Sequence, residues 1–460
     1  MALRHNARGW WLEEVGLPEP APPLEGDLDA DVAIVGGGYT GMWTAWEVLE
    51  REPNARVVLL EADRCGTGPS GRNGGFLSSL WLYRANMEQQ YGERRARELC
   101  EASDETLAMV AAFCETQGVD AWLREAPHLV VSCAPAQDGA SADAVDGEHV
   151  VALSEAETQA VCDAPVFRAG AATRTGATVQ PARLAFGLRD RLLARGVQIF
   201  EGSRVTALHV DRAGGVLAET AGGSVRAEAA AVAINAASGQ VRRLRDRLTV
   251  SSSHIVLTEP VPDVIEQLGW SGGEAITDGR ALLHYFRTTR DGRILLGWGG
   301  GRMEVGARTH GRAEVDAEVV ELTRRGLLRI FPMLEGRRIE HAWGGPIDVS
   351  PTHLPAIVTL QGGRAWAAFG YTGNGVGPAH LAGRSLAALA LGRSEDAARW
   401  AWIDPPPKRV PPEPLRAAGA TVVRAAVARK EAVEEEGGRP DPLTRGLAAV
   451  PSIIGLHIVR

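Results

Sequence analysis

Apolar and polar positions alternate along the chain with two different periods. The run Asp31-Val32-Ala33-Ile34-Val35 is continuously apolar over a strand's length. It gives way at Gly36-Gly37-Gly38 to an amphipathic segment starting near Tyr39. A short apolar run bounded by glycines predicts a buried strand, and the periodic segment after it predicts a helix packed on that strand. A second apolar run, Arg56-Val57-Val58-Leu59-Leu60, ends in Glu61 and completes a strand-helix-strand unit.

The pattern continues with a long helix from about Ala85 to Gln117, a strand from His128 to Cys133, and a polar loop from Ala134 to Glu148. Ser154-Glu155-Ala156-Glu157 reads as a capping box opening a short helix. Pro181 to Gly196 predicts a helix with proline at its start and glycine past its end, followed by strands at Val197–Phe200, Val205–Val210 and Val225–Asn235. From His254 the period shortens to two. Strands are expected at His254–Thr258, Leu282–Arg287 and Ile294–Trp298, the last two joined through Asp291-Gly292 as a hairpin. A helix from about Ala313 to Ile330, a strand at Trp366–Phe369 and a helix from Pro378 to near Gly392 follow. The tail adds a helical run through Val422, Val423, Ala426 and Val427. Its charged end, Lys430 to Glu436, reads as a solvated helix end, and the apolar Leu447–Val459 as a docked terminus.

The expected fold is therefore mixed α/β and α+β, with a discontinuous Rossmann-type dinucleotide domain and a second, antiparallel-sheet substrate domain. The segments are an N-terminal strap over 1–29, read as extended and anchored by Trp10 and Trp11, then dinucleotide segments over 30–84, 166–250 and 341–395. Helical and substrate segments fall over 85–165 and 251–340, and a helical tail over 396–460.

Composition narrows the function. At 460 residues and 45% hydrophobic the chain fills two substantial cores. A net charge of −8 argues against nucleic acid as a partner. Only Lys408 and Lys430 are lysines and neither sits in a Schiff-base or phosphate-loop motif. The five cysteines, Cys65, Cys100, Cys114, Cys133 and Cys162, form no metal-ligand spacing and read as reduced thiols, so no metal is expected. No apolar run is long enough to span a bilayer and the start has no signal-like apolar stretch, which gives a cytoplasmic expectation.

The chemistry lies in the glycines. Gly36 permits the tight turn, Gly38 lets backbone approach a pyrophosphate, and Gly41 lets the helix opened by Tyr39 and Thr40 pack on the strand, with phosphates at the helix N-terminus. Glu61 stands where a ribose-binding carboxylate belongs and speaks against a 2′-phosphate. A second glycine-rich turn, Gly370 to Gly377, lacks the fingerprint and an acidic partner, so one dinucleotide is expected. The stretch from Arg64 to Phe76 is too glycine-rich for an ordinary turn and predicts backbone passing close to something.

These landmarks together resemble the FAD-dependent amine and amino-acid oxidoreductase family that includes D-amino acid oxidase, glycine oxidase and sarcosine oxidase, and most of all its γ-glutamylputrescine oxidase-like branch. The resemblance covers about residues 30 to 395. It rests on Gly68-Pro69-Ser70-Gly71-Arg72-Asn73-Gly74-Gly75 and on Gly370-Tyr371-Thr372-Gly373-Asn374-Gly375. It implies FAD, with Gly36, Gly38, Gly41 and Glu61 on the ADP half and Val205 offering backbone to the adenine. It places Ser70, Gly71, Arg72, Asn73, Gly74 and Gly75 along the pyrophosphate and ribityl chain. Gly373, Asn374, Gly375 and Val376 would face the flavin pyrimidine edge. Some relatives attach FAD through a cysteine in the C-terminal half; no cysteine follows Cys162, so noncovalent FAD is expected. Leu295 stands where sarcosine oxidase has an oxygen-promoting lysine, which leaves the electron acceptor, O₂ or another, open.

The activity implied is oxidation of a C–N bond of an amine, amino acid or aminophosphonate by hydride transfer to flavin, followed by imine hydrolysis. A flavin-dependent 2-hydroxy acid dehydrogenase and a non-catalytic nucleotide-binding protein are the alternatives. Substrate contacts are expected from some of His284, Tyr285, Arg287, Trp298 and Trp343, with Tyr285, Arg287 and Trp343 the catalytic candidates. Strand alternation puts Tyr285 and Arg287 on one face and His284 and Phe286 on the other.

Overall fold

The computed structural model describes residues 4–5, 7–210, 214–360 and 362–453. Its organising layer is a sheet whose strands run in the order Gln198–Phe200, Val57–Leu60, Gly26–Val35 and Gly223–Val232, all parallel. Gly223–Val232 then serves two neighbours. Its first residues pair antiparallel with Val216–Glu219, and its last three pair parallel with Ala365–Phe369. The end of Gly26–Val35 is buried on both faces, as parallel strands covered on either side must be. Helices Tyr39–Arg51 and Val376–Ala390 lie together on this sheet. They approach so closely that a Cβ on Gly383 would stand 2.8 Å from the Cβ of Trp43.

The second sheet has nine strands, in the order Arg4–His5, Ile339–Val349, Thr249–Thr258, Ile294–Trp298, His284–Thr288, Ala275–Asp278, His128–Val131, Gly170–Thr173 and Val150–Leu153. It is antiparallel except where Arg4–His5 joins Ile339–Val349 and where Ala275–Asp278 joins His128–Val131. Its alternation is strict where function needs it. Phe286 packs with Phe167, Trp270 and Phe331 on the face that carries helix Ala317–Ile330, while Tyr285 and Arg287 turn to the opposite face, toward the Gly74-Gly75 loop.

Three expectations are corrected. The helix expected over 85–117 is two, Arg84–Tyr91 and Glu93–Thr116, because Gly92 takes φ 85° and breaks the hydrogen-bond ladder. The N-terminal strap is not wholly extended: Trp10–Val15 is a helix, with Trp11 fully buried and its indole donating to the carbonyl of Asn73. The charged end of helix Leu415–Glu435 is not simply solvated, since Glu431 is buried and accepts from Arg280 and from the amides of Ala281 and Leu282. Of the expected docked terminus, residues 454–459 lie outside the described residues; Pro442–Ile453 is a helix.

Candidate active site

The first chamber of the site is a channel of about 1140 Å³ along the carboxyl ends of the parallel strands. This is where open α/β sheets place ligands. Its floor depends on two glycines. A Cβ on Gly36 would stand 2.3 Å from the carbonyl oxygen of Ala233, and one on Gly41 would stand 1.9 Å from that of Gly36. The N-terminus of helix Tyr39–Arg51 opens on the channel, with no acidic residue in its first turn. The amide of Tyr39 donates to the Ser70 hydroxyl at 2.8 Å, and Thr40 bonds the Tyr371 hydroxyl at 2.7 Å. These contacts fasten both glycine-rich turns to the same helix end.

Glu61 lines this channel and accepts from the amides of Gly37 at 2.7 Å and Asp63 at 2.8 Å. Each carboxylate oxygen keeps a second lone pair for a further donor, which a ribose hydroxyl pair would satisfy. Burial raises its pKa, and the backbone donors offset part of that effect. Val205 also lines the channel.

The stretch after Gly68 forms a short helix, Pro69–Arg72. Asn73 spends its side chain on the loop itself, donating to the carbonyls of Pro69 and Ser70 and accepting from the amide of Gly75. Gly71 packs against the carbonyl of Gly66, so its role is close approach within the protein. Arg72 donates to the carbonyls of Ala7 and Gly68 and faces Glu314 at 3.4 Å.

The second chamber, about 420 Å³, lies between the second sheet and the C-terminal helices. It falls within the usual size of small-molecule pockets, about 300–1,000 Å³. Pro69, Arg72, Asn73, Pro346, Ile347, Gly373 and Val376 line both chambers and mark their junction. Gly74 and Asn374 line only the second chamber, and Gly375 only the first. Gly75 lies against the carbonyl of Val179 and the guanidinium of Arg287.

Tyr285 stands on the wall of the second chamber with its hydroxyl 2.8 Å from that of Ser253, and burial pushes its pKa up to about 12. Trp343 also lines it, and its indole donates to the carbonyl of Arg72 at 2.8 Å. Arg287, expected to reach substrate, is instead turned onto backbone. Its Nη1 donates to the carbonyls of Val179 at 2.7 Å and Gly75 at 3.2 Å, and burial lowers its pKa to about 9. His284 is bound to Asp278 at 2.7 Å, and the indole of Trp298 donates to the carbonyl of Leu282. Neither lines the chamber. Leu295 is fully buried with Trp10, Trp11 and Trp343.

A family model described as FAD dependent oxidoreductase matches residues 31–389. The chain belongs to that family. Among relatives of this FAD dependent oxidoreductase is a Rhizobium meliloti (strain 1021) protein named Probable oxidoreductase OrdL. It is 28% identical over 408 residues, covering 84% of this chain and 90% of that one. The gamma-glutamylputrescine oxidoreductase of Escherichia coli (strain K12) is 28% identical over 398 residues, covering 82% and 87%. The fold is that of glycine oxidase from Geobacillus kaustophilus, with TM-score 0.65 at 21% identity, covering 80% of this chain and 96% of that one. The cofactor is thus FAD, and the cradle around Gly36 and Gly41, the open helix end and Glu61 fit its ADP half.

Sequence reasoning missed three residues at this site. Asp348, on the channel wall, accepts from the Gly370 amide and the Asn235 side chain, and burial raises its pKa to about 7. Its signal was weak, because an acid inside an apolar strand reads as an outward position. His128 lines the second chamber between Ser78 and Thr277. Arg424 enters the same chamber from the tail, where no motif drew attention to it.

Proposed function

We propose that this FAD enzyme oxidises a C–N bond of an amine or amino-acid-like substrate held in the second chamber. The product imine is then hydrolysed by water. FAD, once bound, accepts the two electrons removed from the substrate.

One observation carries the reading: the second chamber opens onto the cofactor channel across shared walls, and its lining holds arginines but, among the described residues, no aspartate or glutamate. With no carboxylate on the wall among those residues, an ammonium finds no counter-ion there, which favours the neutral amine. Only the neutral nitrogen has the lone pair that stabilises positive charge developing on the adjacent carbon as its hydrogen leaves. Tyr285 and Ser253 offer hydroxyls on the wall to orient the substrate. The Trp343 indole holds the Arg72 end of the cofactor loop against the substrate sheet. The names of the relatives, a gamma-glutamylputrescine oxidoreductase and a glycine oxidase, agree with an amine substrate. The five cysteines are free and buried, which suits noncovalent FAD and a reducing cytoplasm. No helix among the described residues is long and apolar enough to cross a membrane.

The test is anaerobic bleaching of the yellow holoenzyme against amines, amino acids, N-methyl compounds, aminophosphonates and 2-hydroxy acids. Bleaching by members of the nitrogen classes is expected. Bleaching by 2-hydroxy acids alone, or by nothing in the panel, overturns the reading.

A further inference from the structure

Four arginines line the second chamber: Arg72, Arg280, Arg416 and Arg424. Three of them are neutralised. Arg280 is clasped by Glu431 at 3.0 Å and Glu435 at 3.2 Å, Arg416 by Glu413 at 2.8 Å, and Arg72 faces Glu314. Arg424 differs. Its Nε donates to the carbonyls of Gly300 at 2.7 Å and Gly301 at 2.6 Å, and its guanidinium lies 5.7 Å from the centre of the Trp298 ring. Among the described residues no carboxylate is within ion-pair distance of it. Its two Nη groups carry no hydrogen bond to any described residue.

Nε anchored on two carbonyls, with the Trp298 ring 5.7 Å away, fixes the guanidinium's orientation, so its outer edge is presented as a fork. Such a fork matches the paired oxygens of a carboxylate or phosphonate. Burial and the charge of Arg302 press against its charge, and Glu318 and Asp316 offset them only in part. An anion arriving in the chamber meets a donor that is already oriented and already partly dehydrated, so little ordering is lost on binding.

Its position indicates which end of the substrate it meets. The residues shared with the cofactor channel are Pro69, Arg72, Asn73, Pro346, Ile347, Gly373 and Val376, and Arg424 is not one of them. It belongs to helix Leu415–Glu435, which follows the family-matched region ending at residue 389. We propose that Arg424 is the anchor for an anionic group, carboxylate or phosphonate, borne by the substrate at the end away from the bond that is oxidised. This deepens the amine-oxidising reading, on which it rests for the identity of the reacting group.

The experiment separates the two. Binding of pentanoate, butylphosphonate and the neutral isostere pentanamide to the holoenzyme is measured by calorimetry at constant ionic strength, with no turnover required. The wild type should bind at least one anion about ten- to a hundred-fold more tightly than the amide, the range expected for a charge-assisted bidentate contact. Arg424→Gln should bring anion binding down to the amide's level while amide binding and flavin content stay unchanged, and Arg424→Lys should recover part of the preference. Preference for pentanoate identifies a carboxylate, and preference for butylphosphonate a phosphonate. Equal binding of anion and amide by the wild type, no binding of any probe, or a preference that survives Arg424→Gln overturns the anchor whatever the bleaching panel gives. An intact anion preference in an enzyme that no amine bleaches would leave the anchor standing and remove the amine.

Discussion

Trp343 hands its indole hydrogen to the main-chain carbonyl of Arg72 across 2.8 Å, joining a strand of the substrate sheet to the loop that separates the two chambers. Trp343 is fully buried, and Arg72 is half-buried where the two chambers meet. Trp343→Phe keeps an aromatic ring but leaves that carbonyl without a donor. The loss should cost about 1–3 kcal/mol of stability. Flavin content after dialysis should fall with it, and a variant that keeps wild-type flavin and wild-type thermal stability would show that the bond does not hold the loop.

Tyr285 and Arg287 leave the same strand face but do different work, and paired variants separate them. Arg287→Ala strips the carbonyls of Gly75 and Val179 of a charged donor. It should destabilise the protein by about 2–3 kcal/mol and loosen FAD. Tyr285→Phe should retain flavin and lower kcat/KM by roughly three- to ten-fold, the worth of one neutral hydrogen bond. Steady-state kinetics on enzyme reconstituted with excess FAD decide it, and a kcat/KM defect in Arg287→Ala that excess FAD does not relieve would return Arg287 to the substrate.

Glu61 tests the ribose assignment. Glu61→Gln keeps the shape of the side chain and one acceptor, so the amide of Gly37 or of Asp63 retains a partner while the charge is gone. FAD affinity should weaken by about ten- to a hundred-fold. Fluorescence titration of the apoprotein measures it, and an unchanged dissociation constant contradicts the assignment.

Asp348 predicts a pH dependence. Its carboxyl has a pKa of about 7 in the folded protein against an ordinary 3.8. The folded state therefore binds the proton more tightly than the unfolded one, and stability contributed by this group is lost as pH rises from about 4 to about 7. In Asp348→Asn that dependence is absent. The stability of the variant relative to wild type should accordingly improve by about 3–4 kcal/mol between pH 4 and pH 7.5. Urea unfolding of the two apoproteins at several pH values gives the difference, and a flat difference would mean that Asp348 is ionised throughout.

The cofactor half of the molecule was legible because its signals are local. A strand, three glycines, a helix and an acid at a fixed distance specify one another through turn geometry, and the observed strand and helix bracket the expected ones. The capping box at Ser154 and Glu157 is likewise present in full, since four consecutive residues contain all of it. The substrate half was legible in its strands but not in its site. Period-two alternation assigned Tyr285 and Arg287 to one face, yet whether a side chain on that face meets a cavity or a backbone carbonyl depends on the loop at Gly74-Gly75, more than two hundred residues away. Arg424 and Glu431 sit on a helix whose sequence looks solvated because half of it is. Which charges are covered was decided by Gly300, Gly301 and Arg280, and nothing in the tail's own periodicity encodes them.

The strand Gly26–Val35 takes Gly223–Val232 as its neighbour, and that strand takes Ala365–Phe369. Synthesis on the ribosome runs from the N-terminus, so these neighbours emerge far apart in time. The first strand of the cofactor sheet emerges long before its partner, with the substrate segment around His128 made in between and most of that sheet made before Phe369. Until residues 223–232 have been made, one edge of Gly26–Val35 has no partner strand. The cradle for flavin draws on both glycine-rich turns, which Ser70 and Tyr371 fasten to one helix end, so it is complete only once the chain through the second turn has been made.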